Sequence, residues 1–463
     1  MRKCLLIWVL VLSLTVAVLG CQSPTADGEP DPVASNEPGT PDTETDPPAP
    51  DGEPDPVDPN EPGTPDTETD PLTAVPQEFA EQNLMAVIRQ GDLWLMTEGG
   101  QGWRQTDSGN VADIIWRPDG HCLAYTVQDG KATDLYCLVP GLSPVPVDQD
   151  IQLIAEWPNT PGMLWSPEST QLAYSAEDGN KLCVIDQIAD VRHSYTLDNP
   201  IRQGPFWLTE DVLIYTTRQN NNIPATVLIE AEGKEITVWD HTTAPFPRPG
   251  KALVATGPFN LEGPIASGWS GLALISVEKE SKTPIYDQPV RFNYLEFADN
   301  AGNTFALANW KELLLLEETA GNFTATQLLS QDMLVTYSEF AYPLWFAWAP
   351  DGQSLAALEF IETKAEDSPD GQEGYWDMVI VDRAGNSTTL LNKIYTFSDG
   401  FSYGETENPL NFTAPMNWSP SGKYLYYISG SRDATDLWRV SAGGGKAELF
   451  LENSSLPLFR PQP

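Results

Sequence analysis

The stretch WRPDGHCLAYTV, residues 116–127, places a tryptophan before a proline turn and then alternates apolar with polar residues. Related phrases return as WSPESTQLAYSA (165–176), WAPDGQSLAALE (348–359) and WSPSGKYLYYIS (418–429). Proline pre-sets φ for the turn, and Asp-Gly or Ser-Gly supplies residues that tolerate a positive φ. The alternation that follows is typical of a half-buried β-strand. The sequence therefore predicts one structural unit that is used several times.

The spacing of these phrases predicts how many units follow one another. They begin at Trp116, Trp165, Trp207, Trp348 and Trp418. The first two gaps are 49 and 42 residues, and the third is 141, close to three times that length. We therefore expect two weaker copies inside the long gap, at residues 252–287 and 292–329.

Each copy reads as four short strands separated by polar turns. In the copy at Trp116, the runs CLAYTV and DLYCLV alternate, and Gly, Pro and Asp stand between runs. No stretch shows a sustained helical period. Four antiparallel strands repeated every 40 to 50 residues or so are typical of a β-propeller blade. Because one sheet cannot cover both of its faces, such blades pack around a circle.

The two ends of the repeat region predict how the ring closes. Residues 84–106 read as three strands without a leading one, and the apolar run at 456–459 would supply the missing strand. The expected fold is all-β: a single propeller over residues 83–463 with eight four-stranded blades, closed by pairing of the N- and C-terminal strands. Seven blades is the alternative if the weak copy near Leu253 is not a blade. The repeat tryptophans are expected to pack between blades rather than to stack on a ligand.

The N-terminal region has the features of an export and anchoring signal. A basic start, MRK, precedes an apolar run through Gly20, so residues 1–20 are predicted to be a lipoprotein signal peptide. The letters VLGC at 18–21 resemble a bacterial lipobox, in which the cysteine is acylated and becomes the mature N-terminus. Cys21 is therefore the predicted lipid-attachment residue. A plain secretory signal with an incidental cysteine is the alternative.

Residues 21–76 form a separate compositional zone. DGEPDPV at Asp27 returns at Asp51, a duplication with a period of 24 residues, and no Lys or Arg occurs in the zone. Such an acidic, proline-rich segment buries too little apolar surface to offset the entropy of ordering. We expect a disordered tether that lifts the propeller away from a membrane.

The charge of the chain restricts its partners. Acidic residues number 66 against 25 Lys plus Arg, which gives a formal net charge of −41. A surface this negative repels phosphate backbones and anionic lipid, so nucleic acid is excluded and membrane contact is expected only through the N-terminal lipid. The predicted location is the bacterial cell envelope, extracytoplasmic, either periplasmic or at the cell surface.

Three cysteines remain once the signal peptide and the acylated residue are set aside: Cys122, Cys137 and Cys183. Their odd number and irregular spacing do not form a disulfide framework. Cys122 and Cys137 fall on neighbouring predicted strands, so one bridge is possible outside the cytoplasm. Buried thiols are the alternative.

The repeat also resembles a known family. The pattern W-S-P-x-G-K-x-L-x-Y at 418–427, followed by DLWRVSAGGGKAELF at 436–450, looks like the TolB-type (WD-like) propeller repeat. That repeat is similar to those in the non-catalytic propellers of prolyl oligopeptidase-like peptidases. The resemblance covers about residues 84–455 and implies the fold. TolB carries an additional α/β domain where this chain has its tether, so the partners of TolB are not carried over.

Catalytic signatures are few. His121, His193 and His241 lie in different repeats, too far apart in sequence for an expected metal site. SGWSGL around Ser270 departs from a nucleophile elbow, with Leu272 in place of the second glycine. No phosphate-binding or dinucleotide-binding glycine motif is present. We predict no metal, no cofactor and no catalytic residues.

One repeat interval is unusually long. Trp348 and Trp418 are 70 residues apart, and the excess falls at 362–377, between the second and third strands, and at 395–412, before the next blade. Strand alternation places both insertions on one face, and long loops carry function more often than short ones. The candidate binding residues are the insertion aromatics Tyr375, Trp376, Phe397, Phe401 and Tyr403.

Solvent-facing aromatics beside carboxylates suit a sugar, a peptide or a cationic partner. The alternative is a disordered acidic insertion whose aromatics pack locally. The favoured function is a membrane-anchored extracytoplasmic lipoprotein whose propeller, a monomeric domain, binds an envelope protein or glycan. A propeller hydrolase with carboxylates in its central channel is the alternative.

Overall fold

A computed structural model describes the protein over seventeen stretches of chain. They are residues 75–80, 83–130, 132–151, 162–186, 191–219, 223–248, 250–257, 271–278, 281–286, 292–298, 303–309, 312–319, 322–330, 345–362, 374–394, 416–431 and 434–461. Within them one short helix, α1 (Gln77–Ala80), precedes thirty-two β-strands that form eight four-stranded antiparallel sheets in a propeller ring. No helix in these stretches is long and apolar enough to cross a membrane.

The first four blades contain the strands up to β15, with one strand from the C-terminus. Blade 1 comprises β1 (Leu84–Arg89), β2 (Asp92–Thr97), β3 (Gly102–Arg104) and β32 (Leu458–Phe459). Blade 2 comprises β4 (Val111–Trp116), β5 (Leu123–Asp129), β6 (Ala132–Leu138) and β7 (Val145–Ile151). Blade 3 comprises β8 (Met163–Trp165), β9 (Gln171–Ala176), β10 (Lys181–Asp186) and β11 (Val191–Thr196). Blade 4 comprises β12 (Ile201–Trp207), β13 (Val212–Gln219), β14 (Ile223–Glu230) and β15 (Glu235–Asp240).

The remaining blades follow in chain order. Blade 5 comprises β16 (Thr242–Arg248), β17 (Lys251–Thr256), β18 (Gly271–Ser276) and β19 (Ser281–Tyr286). Blade 6 comprises β20 (Phe292–Phe297), β21 (Thr304–Asn309), β22 (Glu312–Thr319) and β23 (Asn322–Ser330). Blade 7 comprises β24 (Trp345–Trp348), β25 (Ser354–Glu362), β26 (Gly374–Asp382) and β27 (Ser387–Ile394). Blade 8 comprises β28 (Met416–Trp418), β29 (Tyr424–Ser431), β30 (Ala434–Ser441) and β31 (Glu448–Leu451).

These strands confirm the predicted fold class and decide the blade number. The weak copies at 252–287 and 292–329 fall in blades 5 and 6, so the count is eight and the seven-blade alternative is wrong. The predicted signal peptide, Cys21 and most of the tether lie outside the described residues. At the end of the tether zone Val75 is buried, and Phe79 packs on Trp103 with ring centroids 5.0 Å apart.

The ring closes as the chain ends predict. In blade 1, β32 pairs with β1 through Met85 opposite Phe459 and Ala86 opposite Leu458. Hydrogen bonds extend this contact on both sides: the Arg460 N–H donates to the Leu84 carbonyl at 2.8 Å, and the Ser455 N–H donates to the Ile88 carbonyl at 2.9 Å. The last strand thus completes the first sheet.

The apolar core lies in layers between neighbouring blades. Successive residues of a strand point to opposite faces of the sheet. The second strand of a blade has both faces covered by neighbouring blades, so it is apolar throughout. In β5, Leu123 and Tyr125 belong to the layer shared with blade 1, whereas Ala124 belongs to the layer shared with blade 3. This arrangement explains why the repeats keep runs such as LAY.

The five repeat tryptophans are buried in these layers, as expected, with 3% to 7% of their surface exposed. Four of them also donate the indole N–H to a backbone carbonyl of the preceding blade. The acceptor lies on the first strand of that blade in three cases, and on β32 for Trp116, whose preceding blade is blade 1. The pairs are Trp116 to Leu458 at 2.9 Å, Trp207 to Leu164 at 2.9 Å, Trp348 to Glu296 at 3.1 Å and Trp418 to Ala347 at 3.0 Å. The tryptophans therefore both fill the layers and connect adjacent blades.

Candidate functional site

The candidate site lies at one end of blade 7, where β25 ends at Glu362, β26 begins at Gly374 and β27 ends at Ile394. We call this the insertion end. Strands β25 and β27 run in the same direction because each is antiparallel to β26. Both sequence insertions therefore start from the same end of the blade, in agreement with the strand-alternation argument.

The structure places two of the five predicted aromatics in a strand rather than in a loop. Tyr375 and Trp376 lie in β26, opposite Ile361 and Phe360 of β25. The hairpin continues further than the composition of the insertion indicated, because the GYWD run pairs in register with the end of β25. Phe397, Phe401 and Tyr403 lie outside the described residues.

Trp376 corrects the expectation that the insertion aromatics face solvent. Its side chain is only 5% exposed and packs in the layer that blade 7 shares with blade 8, together with Trp345, Met378 and Ile394. Side chains two residues apart on a strand point to the same face, so Trp376 and Met378 both point into this layer. Trp376 thus anchors the hairpin instead of lining its surface.

The opposite face of the same hairpin carries a different set of side chains. Glu359 stands directly opposite Asp377, and Ile361 directly opposite Tyr375. All four are half-buried. Further from the insertion end, this face continues into the layer shared with blade 6, which contains Leu355, Ala357, Val379 and Val381. The insertion end thus exposes a carboxylate pair and a tyrosine above an apolar base.

Burial is the main cause that raises the pKa of the Glu359 carboxyl, and the electrostatic effect of the neighbouring Asp377 raises it further. Two like charges directly opposite on adjacent strands destabilise a sheet, and a cation placed between them relieves that repulsion. Sequence reasoning included Asp377 in the insertion but missed Glu359, because only strand register shows that the two residues face each other.

Two other carboxyls in the described part of the chain have raised pKa values. Burial raises the pKa of Glu296 on β20 to about 8, although its carboxyl accepts the Trp348 backbone N–H at 3.2 Å. Burial also raises the pKa of Asp113 on β4, against a hydrogen bond from Thr126. Asp113 lies on the first strand of blade 2 and Glu296 on the first strand of blade 6.

The remaining sequence candidates are dispersed. His121, His193 and His241 are exposed, on different blades or between them. Ser270 lies outside the described residues. Where the structure describes the chain, no three His, Cys, Asp or Glu side chains come together as a metal ion would require.

Comparisons with known proteins support the fold. No family model matches the chain, and no curated protein matches it. Among solved structures, dihydro-heme d1 dehydrogenase NirN in complex with DHE is similar, with a TM-score of 0.50 and 11% identity over 87% of this chain and 78% of that one.

Two further similar structures have lower scores. The β-propeller domain of the Trilobed protease from Pyrococcus furiosus has a TM-score of 0.42 and 11% identity over 74% of this chain and 98% of its own. A functionally unknown protein from Desulfotomaculum acetoxidans has a TM-score of 0.43 and 13% identity over 82% of this chain and 100% of its own. The fold is an eight-bladed β-propeller. At these identities the similarity extends to the fold alone.

Proposed function

We propose that this protein is a lipid-anchored extracytoplasmic lipoprotein with a TolB-like propeller, and that the propeller binds an envelope protein or glycan at the insertion end of blade 7. The anchor would be Cys21, and residues 21–76 would act as the tether. The insertion aromatics Phe397, Phe401 and Tyr403 stay candidate binding residues together with Tyr375.

The observation that carries this proposal is the hairpin β25–β26. Nine residues of each strand pair without a register shift, from Ser354 opposite Asp382 to Glu362 opposite Gly374. Trp376 fixes the outer part of this hairpin in the core, so Glu359, Asp377 and Tyr375 are held on a rigid element. A preorganised surface binds with a smaller entropy cost than a surface that must first order.

The chemistry of the surface favours a partner that carries positive charge. A basic peptide or an amino sugar would neutralise the pair of carboxylates and stack an apolar edge on Tyr375. The net charge of −41 attracts such partners from a distance. Binding of this kind weakens as salt screens the charges.

A hydrolase is the second candidate, and the raised pKa values of Glu296 and Asp113 favour it, because a general acid needs such a shift. Each shifted carboxyl also has a structural hydrogen bond of its own, to Trp348 and to Thr126. These hydrogen bonds give each carboxyl a structural role that requires no substrate. The binding module is therefore the better supported function.

The test uses the full chain as bait in detergent extracts of the source membrane. The double variant Glu359→Gln/Asp377→Asn should weaken partner capture about tenfold, the effect of losing close charge pairs. Glu232→Gln/Glu235→Gln on blade 4 is the matched control, because it removes the same charge from exposed positions elsewhere.

A second variant replaces residues 363–373 with a short Gly-Ser linker, which leaves both strands of the hairpin intact. Because this variant retains Glu359, Tyr375 and Asp377, capture that survives in it but is lost in the double variant would assign binding to the strands rather than to residues 363–373. Unchanged capture by both variants would contradict binding at the insertion end. Hydrolysis of an envelope substrate that disappears in Glu296→Gln would favour the enzyme instead.

A further inference from the structure

Two cysteine thiols meet in blade 2. Cys122 directly precedes β5, and Cys137 lies in β6 opposite Ala124, so both side chains point to the same face of the sheet. Their Sγ atoms are 3.2 Å apart. Cys122 is 2% exposed and Cys137 is half-buried, and both are present as thiols.

The geometry allows a covalent bond between them. A disulfide has an S–S length of about 2.05 Å, so the sulfurs need to approach by only about 1 Å. Cys122 stands just before β5, and its carbonyl accepts the Arg117 N–H at 2.9 Å, so the approach comes from rotation of the two side chains and a small shift of this turn. Cys183 lies in β10 of blade 3 and contacts Ser194 and Arg192 instead, with Sγ to Ser194 Oγ at 3.7 Å.

The surroundings decide which thiol reacts first. Contact with Cys137 and burial raise the pKa of the Cys122 thiol, and the nearby Arg117 guanidinium opposes both effects. Cys122 therefore keeps its proton, whereas the more accessible Cys137 meets an incoming reagent. A positive group beside a pair of thiols also stabilises the thiolate that must form during exchange.

We propose that Cys122 and Cys137 are an oxidation site that forms an intramolecular disulfide with a small or protein disulfide as oxidant, and that this bridge stabilises the ring closure. The Cys137 thiolate attacks the donor disulfide, and one donor thiolate leaves. Cys122, after losing its proton to solvent, attacks Cys137 Sγ in the mixed disulfide and releases the second donor thiolate. Two protein thiols are oxidised and one donor disulfide is reduced.

The link to ring closure comes from the turn that precedes Cys122. The Gly120 carbonyl accepts a hydrogen bond from Arg460 Nε at 2.6 Å, just beyond the closing strand. Trp116, at the other end of the same turn, donates to the Leu458 carbonyl. A bridge from Cys122 to β6 therefore fixes the turn on which β32 and Arg460 rest.

The experiment uses the full chain in detergent, treated with oxidised glutathione, then denatured, alkylated and digested with trypsin. Cleavage after Lys131 separates the two cysteines, so the bridge appears as two linked peptides. We expect Cys122 and Cys137 to lose alkylation together while Cys183 remains alkylated, and dithiothreitol to restore both. Continued alkylation of both, or glutathione adducts without linked peptides, would overturn the disulfide.

Variants separate the roles of the two thiols. Cys122→Ser should retain glutathione on Cys137 because the resolving thiol is missing, whereas Cys137→Ser should leave the buried Cys122 unmodified. Cys183→Ser is the matched control and should behave like wild type. If a variant does not fold, peptide mapping of the wild type still tests whether the disulfide forms.

The effect on closure has its own readout. Oxidation should raise the melting temperature by roughly 3–6 °C and slow amide hydrogen exchange at residues 456–461. Unchanged exchange in a fully bridged sample would overturn the proposed link to ring closure. This inference does not depend on binding at the insertion end of blade 7.

Discussion

Trp207 and Trp165 occupy the same position in adjacent blades, and both are buried, with 4% and 3% of their surface exposed. They differ in one hydrogen bond. Trp207 donates its indole N–H to the Leu164 carbonyl at 2.9 Å, whereas Trp165 Nε1 is buried and has no acceptor in the described part of the chain. The pair therefore separates the contribution of the hydrogen bond from that of packing.

Trp207→Phe should destabilise the protein by about 1 kcal/mol more than Trp165→Phe, because it leaves the Leu164 carbonyl without its donor. Both variants lose similar apolar volume, so the second serves as the control for the first. Chemical denaturation measures the free energy of unfolding of each. Equal losses would mean that the indole bond contributes nothing net.

Glu296 makes stability depend on pH. Its folded pKa of about 8 lies above the ordinary value of 4.5. The protonated carboxyl therefore contributes its full share to the free energy of unfolding below pH 4.5, and this contribution is lost as the pH rises through 8. The unfolded chain releases the proton over this range while the folded chain retains it.

Glu296→Gln removes that dependence while retaining an acceptor for the Trp348 N–H. The variant should match wild type near pH 4.5 and exceed its free energy of unfolding by about 1–2 kcal/mol near pH 8. Denaturation at several pH values checks this. Parallel pH curves for the two proteins would contradict it.

At the scale of elements, the closing strand depends on a turn that has no room for a side chain. Gly120 has φ +70°, and a Cβ there would lie 2.6 Å from the Pro461 carbonyl oxygen. Gly130, between β5 and β6, has nearly the same φ of +64° but open space around it. The backbone cost of alanine is therefore similar at the two sites, and only the steric cost differs.

Gly120→Ala should accordingly cost about 1–2 kcal/mol more than Gly130→Ala, an amount typical of forced displacement in a packed site. Hydrogen exchange at residues 456–461 should also accelerate in the first variant and stay unchanged in the second. If both variants behaved alike, the C-terminal residues would not rest on this turn.

The elements show why some predictions from sequence were accurate. Strand alternation, proline turns and tryptophan spacing are local signals, and each blade repeats them, so even the weak copies at 252–287 and 292–329 were placed. The hairpin β25–β26 was misjudged at its outer end, because acidic composition indicated a loop where Tyr375 and Trp376 pair with β25. Pairing with a partner strand outweighed local composition there.

At the scale of the whole molecule, the proposed anchor and the charge would act together. The folded part presents an acidic surface that anionic lipid repels, so membrane attachment should depend on Cys21 alone. Acyl chains supply binding in proportion to buried methylene groups, at about 0.8 kcal/mol each, and several chains hold where one does not.

Cys21→Ser should therefore move the protein from the membrane pellet to the supernatant after fractionation of expressing cells. Mass spectrometry of the wild type should show an acylated N-terminal cysteine, and Cys183→Ser should leave both results unchanged. A Cys21→Ser protein that stayed in the pellet would show a second mode of attachment.

By itself the sequence determined the repeat, its four-strand content and the pairing of the two chain ends, because each depends on local turn chemistry and a fixed spacing along the chain. The structure decided between eight and seven blades. Only the tertiary structure decided that Trp376 is buried, that Glu359 faces Asp377 and that the Cys122 and Cys137 sulfurs lie 3.2 Å apart. These depend on strand register. A shift of one residue moves every side chain to the other face, and the long segment between β25 and β26 leaves their register to tertiary pairing.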